Sequence, residues 1–294
     1  MSALKLGKND PVYHPEDLRW ADLRLPLKAA GLLPAIPPTF GHGETYSDWL
    51  MLGNGPSIPG EPAAPATYES PWEGCGDCVW AAAAHEVMES LTDAGQPPTQ
   101  VAKLFDTAVV VGEYAKVTGY DPATGAGDNG TEVRARLAYM QETGILDTEG
   151  NLHKIGPFVE LEPGNLQHLL EALYFFEGLP LGVQLDEAQM EAFNAAEQNG
   201  STPVWTNVAG SKELGGHCIP MVGRPDGEHF AALTWARRVL LTPTFLEKQC
   251  DEAWAYVTPD RISKVTGSDF VGVDQAQLEA YLRLVAKAPS LRYI

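Results

Sequence analysis

The stretch "EGCGDCVWAAAAHEV", Glu73 to Val87, sets two cysteines three positions apart directly before a run of helix formers. From Cys78 onward "CVWAAAAHEVMES" predicts a helix, and "DAGQPP" stops it with Gly and Pro. A Cys-x-x-Cys pair in this place supports three chemistries. Half of a zinc site needs two more ligands, for which Cys218, Cys250, His85 or His217 are the candidates, but no second Cys-x-x-Cys or His-x3–5-His occurs. A thioredoxin-like dithiol follows a strand in a βαβ unit, which the Pro-rich approach to Cys75 does not resemble. The third reading makes Cys78 a nucleophile at a helix start, where the helix dipole lowers a thiol pKa and favours thiolate. It also needs a base. His217 in "GGHCIPMVG" lies on a predicted strand 139 residues later, behind glycines that allow close approach.

Composition narrows the setting. The chain has 294 residues, 44% hydrophobic and 20% charged, as a globular protein with a sizeable core does. Acidic residues outnumber basic ones 39 to 20, a formal charge of −19, so phosphate backbones and anionic lipid are repelled, and neither nucleic acid nor membrane is an expected partner. The start "MSALKLGKNDPVYHPEDLRW" has no apolar signal-peptide core, and four cysteines are too few for a disulfide scaffold. A reducing, cytoplasmic setting is expected, with no metal and no cofactor.

Residues 1–45 read as a Pro-rich arm with one short helix around Pro15 to Ala30, laid over a core or reaching to a partner; residues 46–294 read as one domain. Helices are predicted at "PPTQVAKLFDTAVVVGEYAKVTG" with Thr99 as N-cap, at "TEVRARLAYMQETG" with Gly144 at the C-cap, and at "PGNLQHLLEALYFFEG" capped near Asn165. The second half turns to short alternating runs, "LPLGVQL", "GGHCIPMVGR", "HFAALTWA" and "EAWAYVTP", with "DEAQMEAFNAAEQNG" and "TPTFLEKQCDEA" as helical insertions. Helices first and strands second predict an α+β fold, a helical lobe packed on an antiparallel sheet lobe with a cleft between them.

These motifs fall in the order of a known family. "CGDCVW" resembles the C-G-[SA]-C-[WY] signature of papain-like cysteine peptidases, whose histidine lies roughly 130–150 residues downstream. "GHCIPMVG" is similar to that family's histidine strand, and "LTWA", with Trp235, stands where the family has N-S-W-G. "LPLGVQLDEAQMEAF" resembles its P-V-S-V-A-I-D-A strand. "DNGTEVRARLAYMQETGI" resembles its N-G-G loop and following helix, and "SDWL" the D-W-R near its mature N-terminus. A second resemblance, covering nearly the whole chain, is to a group of bacteriophage and actinobacterial proteins with no established activity. It is carried by "LGK" at Leu6, "GDCVWAAAAH" at Gly76, "TGYDP" at Thr118, "GGH" at Gly215 and "DEAW" at Asp251.

The papain-like resemblance implies a thiol hydrolase of peptide or amide bonds. Cys78 attacks, His217 is the base, and Asn129, Gly130 and Trp235 border the substrate. Two positions depart from the pattern. Leu233 aligns with the asparagine that orients the imidazole, leaving the hydroxyl of Thr234 as the substitute, and Trp72 aligns with the oxyanion-hole glutamine. These departures set a second expectation beside the first: a catalytically silent papain-fold protein serving in assembly, as a homo-oligomer or a phage virion component. On physical grounds Asp77 shapes a turn, His85 packs on its helix, Cys218 is a core thiol on the face opposite His217, and "GDNG" at Gly127 is a turn rather than a calcium loop.

Overall fold

The computed structural model describes residues 6–29, 31, 33–41, 75–235, 237–262, 267, 276 and 280. The motifs at Trp72 and at "SDWL" lie outside them. In chain order, β1 (Leu18–Arg19) runs into α1 (Trp20–Ala29), and β2 (Phe40–Gly41) follows. The helical part comprises α2 (Cys78–Asp93), α3 (Pro98–Val101), α4 (Thr107–Thr118) and α5 (Val133–Glu142). A small hairpin of β3 (Ile145–Leu146) and β4 (Leu152–His153) leads to β5 (Phe158–Leu161) and α6 (Leu166–Phe176). Then come β6 (Leu179–Asp186), α7 (Glu187–Asn199), β7 (Val204–Trp205), β8 (Glu213–Arg224), β9 (Phe230–Thr234), β10 (Arg237–Leu241), α8 (Pro243–Gln249) and β11 (Cys250–Tyr256). A 3-10 turn, Pro259–Arg261, closes the described fold.

The main sheet has the order β1-β5-β11-β6-β8-β9-β10-β7, with β2 added on β8. Its central pairings are antiparallel, and among the described residues its parallel pairs are at the outer ends, β1 with β5 and β10 with β7. This is the expected α+β arrangement, and its two faces have different jobs. On β11, Ala253 and Ala255 face a core shared with α1, α6 and α8, while Trp254 and Tyr256 face the core around α2, α4 and α5. Strand β8 alternates in the same way: Ile219 and Met221 join the first core and Cys218 the second.

Helix α2 is buried on almost every side, and its alanines, Ala82, Ala83 and Ala84, let it lie close against β8. Its first residue is Cys78, so the helix start is aimed at the strand that carries His217. The segment read as a second long helix from Thr99 is two helices. Thr148 takes the carbonyls of Lys103 (2.7 Å, through its hydroxyl) and Leu104 (2.8 Å, through its amide), withdrawing them from helical pairing. Asp106, not Thr99, then caps the next helix by accepting from Val109 N–H at 2.8 Å. Asn165 does cap α6, accepting from His168 N–H at 3.2 Å.

Part of the Pro-rich arm is built into the body. Trp20, Leu23 and Leu27 of α1 are buried against α6, with Trp20 edge-on to Phe176 at 5.6 Å, and Arg24 grips Glu171 with two bonds of 2.6 and 2.5 Å. Elsewhere, His153 of β4 links the hairpin to the 3-10 turn. Its Nδ1 is 2.9 Å from Asp260 and its Nε2 3.2 Å from Asp147. Burial opposes the charged ring, but the two carboxylates more than offset that, and its pKa stands above the ordinary 6.5. A raised histidine pKa stabilises the fold fully below 6.5, and that contribution fades as pH rises through the folded value. Urea midpoints of the wild-type chain are therefore expected to fall on going upward from pH 6.5, and this component of the fall to vanish in His153→Gln. An identical pH dependence in the two proteins would refute the clasp.

Candidate active site

The turn that delivers Cys78 is held by the "GDNG" loop. Asp128 accepts from Gly76 N–H at 2.9 Å and from Tyr114 O–H at 2.6 Å, and the same tyrosine oxygen accepts from Gly130 N–H at 3.0 Å. The loop turns through glycines at φ +76° (Gly127) and +72° (Gly130). Thr131, immediately after it, is fixed by Trp80 Nε1–H donating to its hydroxyl at 3.0 Å. Asp77 precedes the helix; its carbonyl accepts from the amides of Trp80 (2.8 Å) and Ala81 (3.0 Å), which is the turn role expected of it.

On the other side, β8 presents His217. Its Nε2 lies 2.8 Å from the Thr234 hydroxyl, and its ring stacks on Trp235 with centroids 4.5 Å apart and planes 19° from parallel. Leu233, at the aligned asparagine position, points instead into a small cluster with Val222 and Ala231. Thr234 is thus the group that holds the imidazole. Trp235 adopts a left-handed backbone, φ 46°, which is strained for a residue with a Cβ and is held by packing against Phe193 and Trp205. It lies behind the imidazole, 6% exposed, whereas Asn129 is exposed on the loop.

A third element fills the space between. Residues Leu6 to Asn9 run as an extended strand between the "GDNG" loop and β8. Thr131 N–H donates to Gly7 carbonyl (2.9 Å), Asn9 N–H to Thr131 carbonyl (3.0 Å), and Lys8 N–H to Gly216 carbonyl (3.2 Å). The pairing of Lys8 with Thr131 is parallel. Glycines make the fit: a Cβ on Gly7 would collide with the Gly76 carbonyl, one on Gly130 with the Gly7 carbonyl, and one on Gly216 with the Lys8 carbonyl.

The Lys8 side chain enters a pocket and is 0% exposed there. Its ammonium meets Asn9 carbonyl at 2.9 Å, Asp251 at 3.0 Å and Glu252 at 3.3 Å. Sheet register builds this pocket: Gly182 pairs with Cys218 on one side and Glu252 on the other, and its missing side chain leaves room for the lysine stem, 2.7 Å from where a Cβ would be. Gln184 donates to Asp251 at 2.6 Å and Trp254 Nε1–H to Glu252 at 2.9 Å. Burial works against the Lys8 charge, but Glu252 and Asp251 more than offset it and hold the ammonium above its ordinary range. Burial also pushes the Glu252 carboxyl up, against the pull of Lys8.

The two candidate reactive groups are both buried. Burial pushes the Cys78 thiol up to about 11, although the backbone amides of Cys218 and Gly7 point at the sulfur and favour its anion. The expected thiolate at the helix start is thus overridden by desolvation. Burial pushes His217 down to about 3, and its Nδ1 has no hydrogen-bond partner, so the imidazole is not bonded to the Cys78 sulfur. No disulfide joins Cys75, Cys78, Cys218 or Cys250, all four are buried, and no cluster of ligand-type side chains suited to a metal ion occurs among the described residues. No helix among the described residues is long and apolar enough to cross a membrane.

Sequence reasoning named Cys78, His217, Thr234, Asn129, Gly130 and Trp235. It missed Gly7, Lys8, Thr131, Gly182 and the paired acids, while the glycines before His217 were read as allowing close approach, as Gly216 does. The motifs "LGK" and "DEAW" marked two of these places as a resemblance only, since nothing in periodicity or charge says that residues 8 and 251 meet.

The helix start, the histidine strand crossing it and the mixed sheet define the papain-like cysteine-protease fold. Two solved structures share it across most of the chain. One is xylellain, a cysteine protease from Xylella fastidiosa (TM-score 0.56, 13% identity, 88% of this chain and 98% of that one). The other is procathepsin B S9 from Trypanosoma congolense (TM-score 0.51, 14% identity, 86% of each chain). No protein-family model matches the sequence, and no curated protein matches it.

Proposed function

We propose that this protein is a thiol hydrolase of peptide or amide bonds, with Cys78 as nucleophile and His217 as base, and that residues Leu6 to Asn9 keep it latent. The observation that carries this reading is the imidazole held from one side by Thr234 while Nδ1 stays unpartnered, on the residue preceding Cys218, whose amide, with that of Gly7, points at the Cys78 sulfur. With Nε2–H donated to Thr234, the lone pair of Nδ1 is left for the thiol proton. When the strand leaves, water re-enters and the desolvation that keeps both groups neutral is relieved. The Cys78 proton passes to His217, the thiolate attacks the substrate carbonyl carbon, and the oxyanion forms at the start of α2, where the Cys78 amide is directed. The imidazolium then protonates the departing amine as the C–N bond breaks. Water, deprotonated by His217, hydrolyses the thioester and restores the thiol. Thr131 and the Gly216 carbonyl offer a substrate backbone the bonds that Gly7, Lys8 and Asn9 now occupy.

The test uses Gly7→Val, in which the strand cannot seat. In that background Cys78 is expected to be the cysteine that iodoacetamide alkylates first at neutral pH. Adding His217→Ala should slow it at least tenfold; Thr234→Val should shift the pH–rate profile, with Thr234→Ser restoring it. Equal alkylation with and without His217 would overturn the pair. That result would favour the second reading, a silent papain-fold module in an assembly such as a phage particle.

A further inference from the structure

We infer that the Gly182–Asp251–Glu252 pocket recognises a lysine side chain of the substrate, and that Lys8 is a resident stand-in for it. The inference rests on the proposed hydrolase reading for its biological meaning and on the pocket's geometry for its chemistry. The strand that carries Lys8 takes its backbone bonds from Thr131 and Gly216, the two edges flanking Cys78. Any peptide brought to that sulfur in extended form must displace this strand and use the same edges. Its side chain at the Lys8 position then enters the same pocket.

The pocket is selective because of what an empty or wrongly filled one contains. The Glu252 side chain is 1% exposed, and its Oε1 has no hydrogen bond, only the ion pair with Lys8 at 3.3 Å. Oδ1 of Asp251 is likewise buried without a hydrogen bond. An apolar side chain would leave the buried Glu252 carboxylate without its cation beside the partly buried Asp251, and an acidic one would add repulsion. An ammonium on a four-carbon stem satisfies Asp251 and Glu252 together, and the absence of a side chain at Gly182 leaves the stem its channel. Trp254 donates to the other oxygen of Glu252, and Gln184 shares Oδ2 of Asp251 with the Lys8 ammonium, so both orient the acids without replacing the cation.

Two experiments on the full chain separate this inference from the hydrolase reading. In Lys8→Ala the deleted part of the side chain is n-propylammonium. Added n-propylammonium is expected to raise the melting temperature of this variant saturably, n-propanol is not, and the difference should disappear in Lys8→Ala/Asp251→Asn/Glu252→Gln. If Lys8→Ala fails to fold, Lys8→Met, which keeps the stem, is used with ammonium-bearing and norleucine-bearing forms of the peptide Leu-Gly-Lys-Asn as competing ligands. The lysine form should bind at least tenfold tighter. In the second experiment Gly7→Val is assayed with fluorogenic peptide amides that differ only in lysine, norleucine or glutamate. Lysine is expected to be preferred at least tenfold over norleucine, and Asp251→Asn/Glu252→Gln to erase the preference. Equal rescue by amine and alcohol, or norleucine accepted as well as lysine, overturns the pocket. Amine-selective rescue with no hydrolysis of any peptide leaves the pocket standing and overturns the hydrolase.

Discussion

Replacing Gly7 with valine will raise the rate at which iodoacetamide modifies Cys78 by about 100-fold at neutral pH, because only the thiolate reacts. The covered thiol is pushed from an ordinary 9.0 to about 11 by burial. Two pH units of displacement correspond to about a 100-fold smaller thiolate fraction well below either value. Valine at position 7 places a Cβ on the Gly76 carbonyl, so the strand must lift, and the sulfur regains solvent and the full effect of the helix start. The intact chain supplies the control: its Cys78 alkylation should climb about tenfold per pH unit until near pH 11. Mass spectrometry of the alkylated peptides resolves Cys78 from Cys75, Cys218 and Cys250. An unchanged rate in Gly7→Val would mean that the strand is not what silences the thiol.

The second large effect lies in the core that carries α2. Arg136 of α5 is fully buried and forks onto Glu86 of α2 with bonds of 2.8 and 3.2 Å, and Tyr256 O–H of β11 donates to the same carboxylate at 2.7 Å. Three elements thus meet at one buried carboxylate. Arg136→Met removes the only cation bonded to Glu86 among the described residues and strands its charge, which typically costs about 3–5 kcal/mol. Glu86→Leu in the same chain removes the stranded charge, so the double variant is expected to recover most of the loss. Urea denaturation of the two single variants and the double variant provides the cycle. A double variant as unstable as Arg136→Met would show that shape, rather than charge pairing, is what the site needs.

The helices and strands around the site were legible because each had a local cause. The alanine-rich run after Cys78, the cap at Asn165 and the alternating "GGHCIPMVGR" carry their structure in their own composition. So did the hydroxyl at Thr234, whose candidacy followed from Leu233 having no acceptor to give. What stayed hidden depended on long-range meeting. The thiol was expected to be acidified by its helix, and burial reversed the sign, because desolvation outweighs a helix end in a closed site. The split between α3 and α4 came from Thr148, more than forty positions away, taking helical carbonyls. Lys8 sits in a Pro- and Gly-rich segment with no periodicity, and its acids lie on β11, 243 and 244 positions downstream. Such contacts leave no local trace in a sequence.

The strand over Cys78 is tethered. Eight residues separate Asn9 from Leu18 in β1, and on that path Tyr13 O–H reaches the Asp251 carbonyl at 2.8 Å while Asp17 is gripped by Arg134 at 2.6 Å through each oxygen. A tether this short keeps the strand at an effective local concentration of the order of millimolar. A free peptide competes against that figure, not against the molar amount of protein in the tube. Dilution therefore will not open the site, and crowding will not close it further. On the proposed reading the latency of Cys78 is a first-order property of each molecule, independent of how many copies surround it.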